Sequence, residues 1–405
     1  MKINPTKTLF ELITTISFVL DNNFGKNTYH SWRVAIISGI LSRSLTGRLE
    51  QKKVFYAALL HDIGGAGFPL HILHYLKQNN KINRDILLSH PIIGAQIISD
   101  IPKMSAVAQL IIDHHEWING QGYPRGKTEK NIPWGSQAIR LADSLDILIQ
   151  KGIKNIPQLR IKTKTYQNKE YPSQMASRVF ALLKKNSLFK KIINPETIPF
   201  ILFQLARQVG QIPIPKKIDA IGKAMEAIAE IIDMKHPFTL GHSTRVSRYA
   251  LAIAMSMGLN HDEITAIRWA GLIHDIGKLM IPRRVLDKNT KLTCREYQMI
   301  QRHAKYSISI MKRMPSLQVL TPLVAAHHEH FDGTGYPFKL KGEQIPLGAR
   351  IISLCDAFDA MTSNRPYRQP LNFSQACEEI KRQAEKQFDP QIVKIALPLL
   401  SKLGF

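Results

Sequence analysis

The chain has 405 residues, and its 55 lysine and arginine residues against 31 acidic ones give a net charge of +24. No apolar run approaches the ~20 residues of a membrane span. Three cysteines, all in the second half, are too few for a disulfide framework. Composition therefore excludes membrane-spanning and disulfide-rich secreted classes, and a reducing cytoplasm is the expected location.

Apolar residues recur at helical spacing along the whole chain, whereas long alternating strand patterns are missing. The N-terminal residues 1–23 mix Asn, Pro, Glu and Asp with apolar residues, which predicts an amphipathic helix rather than a signal peptide. Further helices are predicted where VFYAALLHDIG and IRWAGLIHDIG occur, and the Gly- and Pro-rich strings GGAGFP, NGQGYP and DGTGYP predict turns. The pattern predicts an all-α fold with short loops.

Seven potential metal ligands occur twice in the same order. The spacings from the His-Asp pair to the next His, to the His-His pair and to the last Asp are 29, 24 and 28 residues in both halves. The first set comprises His30, His61, Asp62, His90, His114, His115 and Asp143. The second comprises His242, His274, Asp275, His303, His327, His328 and Asp356. Such a period predicts two tandem copies of one metal-binding domain.

The domain boundary is predicted near the Pro-punctuated connector QIPIPKK. The first domain is expected to span residues 1–210, with 150–210 appended to the repeated part. A linker over 211–218 then leads to a second domain over 219–405.

Imidazole and carboxylate ligands without thiolate favour Fe, Mn, Zn, Co or Ni over Mg or Ca. Seven ligands exceed the three or four of a single zinc site and suit two ions that share a carboxylate, for which Asp275 is the candidate. Such a pair activates water at neutral pH and clamps the oxygens of a phosphoryl displacement.

The second half resembles a known family at this point. HDIGK at 274–278 is similar to the signature of the HD superfamily of metal-dependent phosphohydrolases. HHEHFDGTGYP at 327–337 resembles the signature of its HD-GYP branch, the cyclic-dinucleotide phosphodiesterases. The resemblance implies a helical HD domain, an iron or manganese centre, and hydrolysis of cyclic di-GMP or 3′3′-cyclic GMP-AMP to the linear dinucleotide.

The resemblance also implies roles for individual residues. The second set of seven would bind metal, with Asp275 and Lys278 as the catalytic pair, and Lys278, Arg365 and Arg368 would hold substrate phosphates. Tyr336 would be loop scaffold or a base contact. Phe238 stands where trinuclear relatives carry a ligating Glu, so two ions are expected.

The first copy keeps its seven ligands and lacks the substrate cations. Gly65, Gly152 and Asn155 stand where the second copy has Lys278, Arg365 and Arg368. This copy is therefore predicted to be degenerate and regulatory, with metal bound and little turnover. The alternative is a metal-free packed remnant.

Other functions remain open from the sequence. One is an HD phosphohydrolase of another nucleotide, and another is a non-catalytic receptor for cyclic dinucleotide or metal. Residues 151–195 carry eleven Lys or Arg against one acid, Glu170. That segment predicts an anion-binding surface for an acidic partner protein, or a solvated helix face. No nucleic-acid-binding motif accompanies it, so a nucleic-acid polymer is not favoured.

Overall fold

The computed structural model describes residues 3–22, 29–43, 47–68, 81–214, 218–235, 240–363 and 369–401. Residues in these ranges form helices, turns and isolated bridges without a strand, which confirms the predicted all-α fold. The chain divides into two compact units, Pro5–Ala220 and the part from Ile221 onward. In the described residues no helix is long and apolar enough to cross a membrane.

The first unit begins with an amphipathic helix, as the sequence predicts, and its described residues form nine more. Its helices are α1 Pro5–Asn22, α2 His30–Arg43, α3 Arg48–Leu60, α4 Lys81–Ser99, α5 Ser105–Ile112, α6 Trp134–Gln150, α7 Ile156–Thr163, α8 Ser173–Lys184, α9 Leu188–Ile193 and α10 Ile198–Val209. Helices α2, α3 and α6 pack on one another, and Trp32 of α2 is buried against Phe18 of α1 and Phe203 of α10.

The second unit repeats the order of α1 to α8 and has no counterparts of α9 and α10 among its described residues. Its helices are α11 Ile218–Met234, α12 His242–Ser256, α13 His261–Ile273, α14 Arg283–Leu286, α15 Cys294–Met311, α16 Thr321–Ala325, α17 Leu347–Thr362, α18 Phe373–Arg382 and α19 Pro390–Leu400. Helix α11 begins within the predicted 211–218 linker. Helices α12, α13 and α17 pack together as α2, α3 and α6 do.

Local sequence explains where two of the helices near the ligands begin. The Asn260 side chain accepts a hydrogen bond from the backbone of Glu263, whose carboxylate returns to the Asn260 backbone, and this capping box starts α13. Thr293 and Glu296 start α15 in the same way. The starts of α13 and α15 are therefore set by local residues. Helix α13 leads directly into His274, and α15 carries His303.

Candidate metal centre

Helix ends bring the ligands together in each unit. His30 and His242 are the first residues of α2 and α12, and His61 and His274 directly follow α3 and α13. The His-His pairs follow the short helices α5 and α16. At a helix end two neighbouring side chains can turn into the same pocket, whereas within a helix they diverge.

The ligand atoms of each unit form two groups, and within a group all of them lie within 4.8 Å of one another. In the second unit the groups are Asp275, His303, His327, His328 and His242, His274, Asp356. In the first unit they are Asp62, His90, His114, His115 and His30, His61, Asp143. The structure thus gathers every residue of both predicted sets.

Asp275 lies between the two groups of the second unit. Its Oδ2 is 3.4 Å from Nε2 of His274, and its Oδ1 is 3.6 Å from Nε2 of His303. Asp62 has the same place in the first unit, with Oδ2 3.5 Å from His61 and Oδ1 3.5 Å from His90. One carboxylate oxygen facing each group is the arrangement that a bridging ligand requires.

Three buried imidazoles of the second unit are oriented alike. Nδ1 of His274, His303 and His327 lies 2.7–2.8 Å from a carbonyl oxygen three residues earlier, so it donates its proton there. Their Nε2 atoms are buried and have no hydrogen-bond partner among the described residues. Unused lone pairs in these two ligand groups fit bound metal, because the backbone fixes the tautomer in which Nε2 coordinates.

His242 is held instead by a carboxylate that the sequence interpretation missed. Its Nδ1 lies 2.7 Å from Oδ2 of Asp359, whose Oδ1 accepts a hydrogen bond of 2.5 Å from Nε of Arg245. His30, Asp146 and Arg33 form the same trio in the first unit. The sequence does show this trio as a repeated pattern. In both copies an Arg lies three residues after the first His, and an Asp lies three residues after the last ligand.

The electrostatics of the second cluster suit metal binding. Burial alone would raise the pKa of Asp275, but Lys278 and the imidazoles of His274 and His303 bring it well below the usual range. Burial, together with His274 and His303, lowers the pKa of His327 to about 3. Ionised carboxylates and neutral imidazoles are the protonation states that coordinate a cation.

The predicted substrate residues have different outcomes. Lys278 forms an ion pair with Oδ2 of Asp275 and stays partly exposed. The ring of Tyr336 lies over His328, with centroids 4.9 Å apart and planes at 31°. Arg365 and Arg368 lie outside the described residues, as does Phe238.

The loop that carries Tyr336 is ordered by its own acids. Glu329 accepts hydrogen bonds from the backbone of Phe338 and Leu340, at 2.6 and 3.1 Å, and Asp332 accepts from Thr334. A Cβ added at Gly335 would lie 2.2 Å from the backbone nitrogen of His330, so only glycine fits there. The loop is therefore a rigid wall beside the cluster.

A cavity of about 440 Å³ adjoins that wall, and sequence reasoning did not find it. It is lined by Gln298, Gln301, Arg302, Lys305, Tyr306, Tyr336 and Pro337. The first four share one face of α15, at positions i, i+3, i+4 and i+7, on the helix that also carries His303. That periodic basic and amide face was the available signal.

In the first unit the residues at the substrate positions bring no cation to the cluster. Gly65 lies in a short 3-10 turn directly after Asp62. Asn155 caps α7 by accepting a hydrogen bond of 2.9 Å from the Gln158 backbone. Glu170, the one acid of segment 151–195, is buried, so the exposed part of that segment carries cations alone.

A helical fold with paired His-Asp clusters defines the class of HD-type metal proteins, and comparison with known families agrees. The HD-domain family model matches residues 26–161 and again 226–392. The chain therefore belongs to the HD-domain family, and its HD-GYP resemblance is confirmed.

Individual relatives carry more specific names. A 3′3′-cGAMP-specific phosphodiesterase 3 of Vibrio cholerae is 30% identical over 341 residues, 82% of this chain and 72% of the relative. A cyclic di-GMP phosphodiesterase of Thermotoga maritima is 34% identical over 183 residues, 45% of this chain and 50% of the relative. The crystal structure of the cyclic GMP-AMP-specific phosphodiesterase V-cGAP3 of V. cholerae has the same fold, with a TM-score of 0.65, 24% identity and 97% of each chain covered.

Proposed function

We propose that the second unit hydrolyses a cyclic dinucleotide to the linear dinucleotide at the cluster formed by His242, His274, Asp275, His303, His327, His328 and Asp356. The protein is an enzyme of the cyclic-dinucleotide phosphodiesterase class to which its relatives belong. The observation that carries the assignment to this unit is Lys278. It sets a cation directly beside Asp275, whereas the first copy has Gly65 there.

The two groups of residues would hold two divalent ions, iron or manganese by family resemblance, and Asp275 could serve both groups. When bound, such ions supply a hydroxide at neutral pH and neutralise charge on the phosphoryl oxygens. The protein's part is to fix the donors: backbone carbonyls hold His274, His303 and His327, and Asp359 holds His242.

The substrate is proposed to extend from the cluster into the α15 cavity. Lys278 lies at the cluster and would hold the reacting phosphate, because an ammonium pairs well with a non-bridging oxygen. Arg302 and Lys305 line the cavity beyond Tyr336 and would hold the second phosphate or a guanine edge. Arg365 and Arg368 stay proposed phosphate contacts on the family resemblance alone.

We rank 3′3′-cyclic GMP-AMP ahead of cyclic di-GMP, which reverses the order expected from the sequence. A relative named for the former aligns along 82% of this chain, whereas relatives named for the latter align along 39–54% of it. Both belong in the assay, together with a dNTP and an alarmone for the alternative of another nucleotide.

The first unit is proposed to bind metal without turnover. Its ligands form the same two groups as in the second unit, but Gly65, Gly152 and Asn155 leave the phosphate without the three cations. Positioning contributes much of the rate in such sites. A regulatory role follows, and the exposed cations of segment 151–195 would suit an acidic partner.

The test compares Asp275→Ala with its counterpart Asp62→Ala in the full-length protein. After reconstitution with Mn²⁺ or Fe²⁺, products from the nucleotide panel are resolved by chromatography. We expect Asp275→Ala to lose turnover by orders of magnitude, and Asp62→Ala to keep it within a few-fold. Equal losses in both variants would refute the assignment to the second unit. Tight binding of cyclic dinucleotide without any product would favour the receptor alternative.

A further inference from the structure

A buried arginine enters the first cluster from the inner side. Nη1 of Arg140 donates a hydrogen bond of 2.7 Å to Oδ2 of Asp143 and lies 3.3 Å from Nδ1 of His115. On its other edge, Nε and Nη2 lie 3.0 and 2.7 Å from Oε2 of Glu170. Arg140 is 8% exposed and Glu170 4%, so the guanidinium is confined among these three partners.

The second copy has a neutral pair at the same two places. Arg140 precedes Asp143 by three residues, and Ser353 precedes Asp356 by three. Glu170 directly precedes Tyr171 of the bridge Gln167–Tyr171, and Gln387 likewise precedes Phe388 of the bridge Ala384–Phe388. The first copy therefore has a charged residue at both places, and the second copy has a neutral residue at both. Because Arg140 and Glu170 also contact each other, we treat them as one ion pair that acts together.

The contact with His115 removes a metal ligand. Arginine can only donate hydrogen bonds, so Nδ1 of His115 must accept, and the proton of the neutral ring then sits on Nε2, which is buried and has no hydrogen-bond partner among the described residues. A neutral imidazole has a single free lone pair. With it used by Arg140, neither nitrogen of His115 can coordinate, and the positive charge of the guanidinium stands beside the remaining donors of that group, Asp62, His90 and His114. Among the described residues no hydrogen bond occupies the imidazole of His328, the counterpart in the second unit.

The other group of the first cluster keeps its donors. Arg140 takes only Oδ2 of Asp143, and Oδ1 remains 3.6 Å from Nε2 of His30. His61 donates from Nδ1 to the carbonyl of Ala58, so its Nε2 is the coordinating atom, and this Nε2 lies 3.2 Å from Nε2 of His30, an imidazole that can turn its own Nε2 lone pair to the same ion. His30, His61 and Asp143, with Asp62 beside them, still offer a complete set for one ion.

We propose that Arg140 is a built-in cation that replaces one of the two ions, so that the first unit holds a single metal ion in the His30, His61, Asp143 group. This inference rests on the proposed metal binding of the first unit. A single ion cannot clamp both the attacking and the leaving oxygen. The arrangement therefore converts a hydrolytic cluster into a mononuclear site.

The test exchanges the two pairs between the copies of the full-length protein. Arg140→Ser with Glu170→Gln gives the first unit the second unit's residues, and Ser353→Arg with Gln387→Glu does the converse. Each chain is reconstituted with Mn²⁺, and bound metal is measured by elemental analysis. We expect about three ions per chain in the unaltered protein, about four after the first exchange and about two after the second.

Mn²⁺ paramagnetic resonance gives a readout that protein stability alone would not move. The isolated six-line signal of the single ion should fall after the first exchange, as that ion becomes part of a spin-coupled pair. Arg140→Lys keeps the positive charge and should keep about three ions. If the serine exchange does not fold, Arg140→Met with Glu170→Gln replaces it. This uncharged pair has side chains of similar length and should likewise give about four ions per chain.

Two results would overturn the inference. One is four ions per chain with Arg140 in place, and the other is an unchanged count and signal after the first exchange. If the second unit of the unaltered protein fails to bind two ions, the proposed function is refuted instead. This outcome can be told from failure of the inference, because Ser353→Arg with Gln387→Glu changes only the second unit.

Discussion

Lys278→Ala should separate catalysis from folding in the second unit. The lysine side chain is 27% exposed, and its partner Asp275 is 5% exposed. With metal bound, the ions would compensate the charge of the buried Asp275, so loss of this pair should then cost only about 0–1 kcal/mol of stability, as for partly exposed pairs. A charge-assisted contact to a phosphoryl oxygen is worth about 1.5–3 kcal/mol, which corresponds to roughly a ten- to hundredfold change in rate. Catalysis should therefore lose far more than stability.

The assay pairs kcat/KM for the preferred cyclic dinucleotide with metal content and melting temperature. Metal-loaded Lys278→Ala should keep its metal and melt close to the unaltered protein, since the ions then compensate the charge of Asp275. Metal-free Lys278→Ala should melt lower, because Asp275 is left buried without its cation. Lys278→Arg, the matched control, should recover part of the lost kcat/KM. Loss of metal together with activity, or an unchanged kcat/KM, would refute the reasoning.

Three further predictions follow from contacts in the second unit. A Cβ at Gly277 would lie 1.9 Å from the carbonyl oxygen of His303, so Gly277→Ala should lower the free energy of unfolding by about 1–3 kcal/mol or more, measured by urea denaturation. Arg302→Ala should raise KM with kcat little changed, because the residue lines the cavity away from the ligands. Burial raises the pKa of Asp233 to about 6, above its unfolded value, so the stabilising proton is lost as pH rises from about 4 to 6. The stability of Asp233→Asn relative to the unaltered protein should rise by up to about 3 kcal/mol across that window.

The ligands could be found from the sequence because coordination preserves residue type and spacing together. His242, His274 and Asp356 lie far apart along the chain, yet the same order recurs in the first half, and the structure places them in one group. The helical fold followed from apolar periodicity for a similar reason, since each helix needs a buried stripe. The duplicated ligand spacing and the apolar periodicity are both repeated patterns, so a single sequence is enough to detect them.

Partners of the ligands were harder to predict, because their pairing depends on tertiary packing. Arg140 precedes a ligand by three residues, but Glu170 comes thirty residues later, in a segment that reads only as basic surface. Its single acid was counted as part of that surface, whereas the structure buries it. The cavity face of α15 was visible as a helical stripe, but a stripe of Gln, Arg and Lys is also what any solvated helix shows.

The two copies differ chiefly in where each places its positive charge. In the second unit Lys278 pairs with Asp275 and stays partly exposed, so under the proposed function its ammonium would face an incoming phosphate. In the first unit Arg140 lies against Asp143 and His115 from the buried side, and Glu170 holds it there. Lys278 would therefore be accessible to substrate, whereas Arg140 contacts only residues within the protein. If both proposals hold, one scaffold with the same seven ligand types serves hydrolysis in one copy and static metal binding in the other, according to which side of the cluster carries the cation.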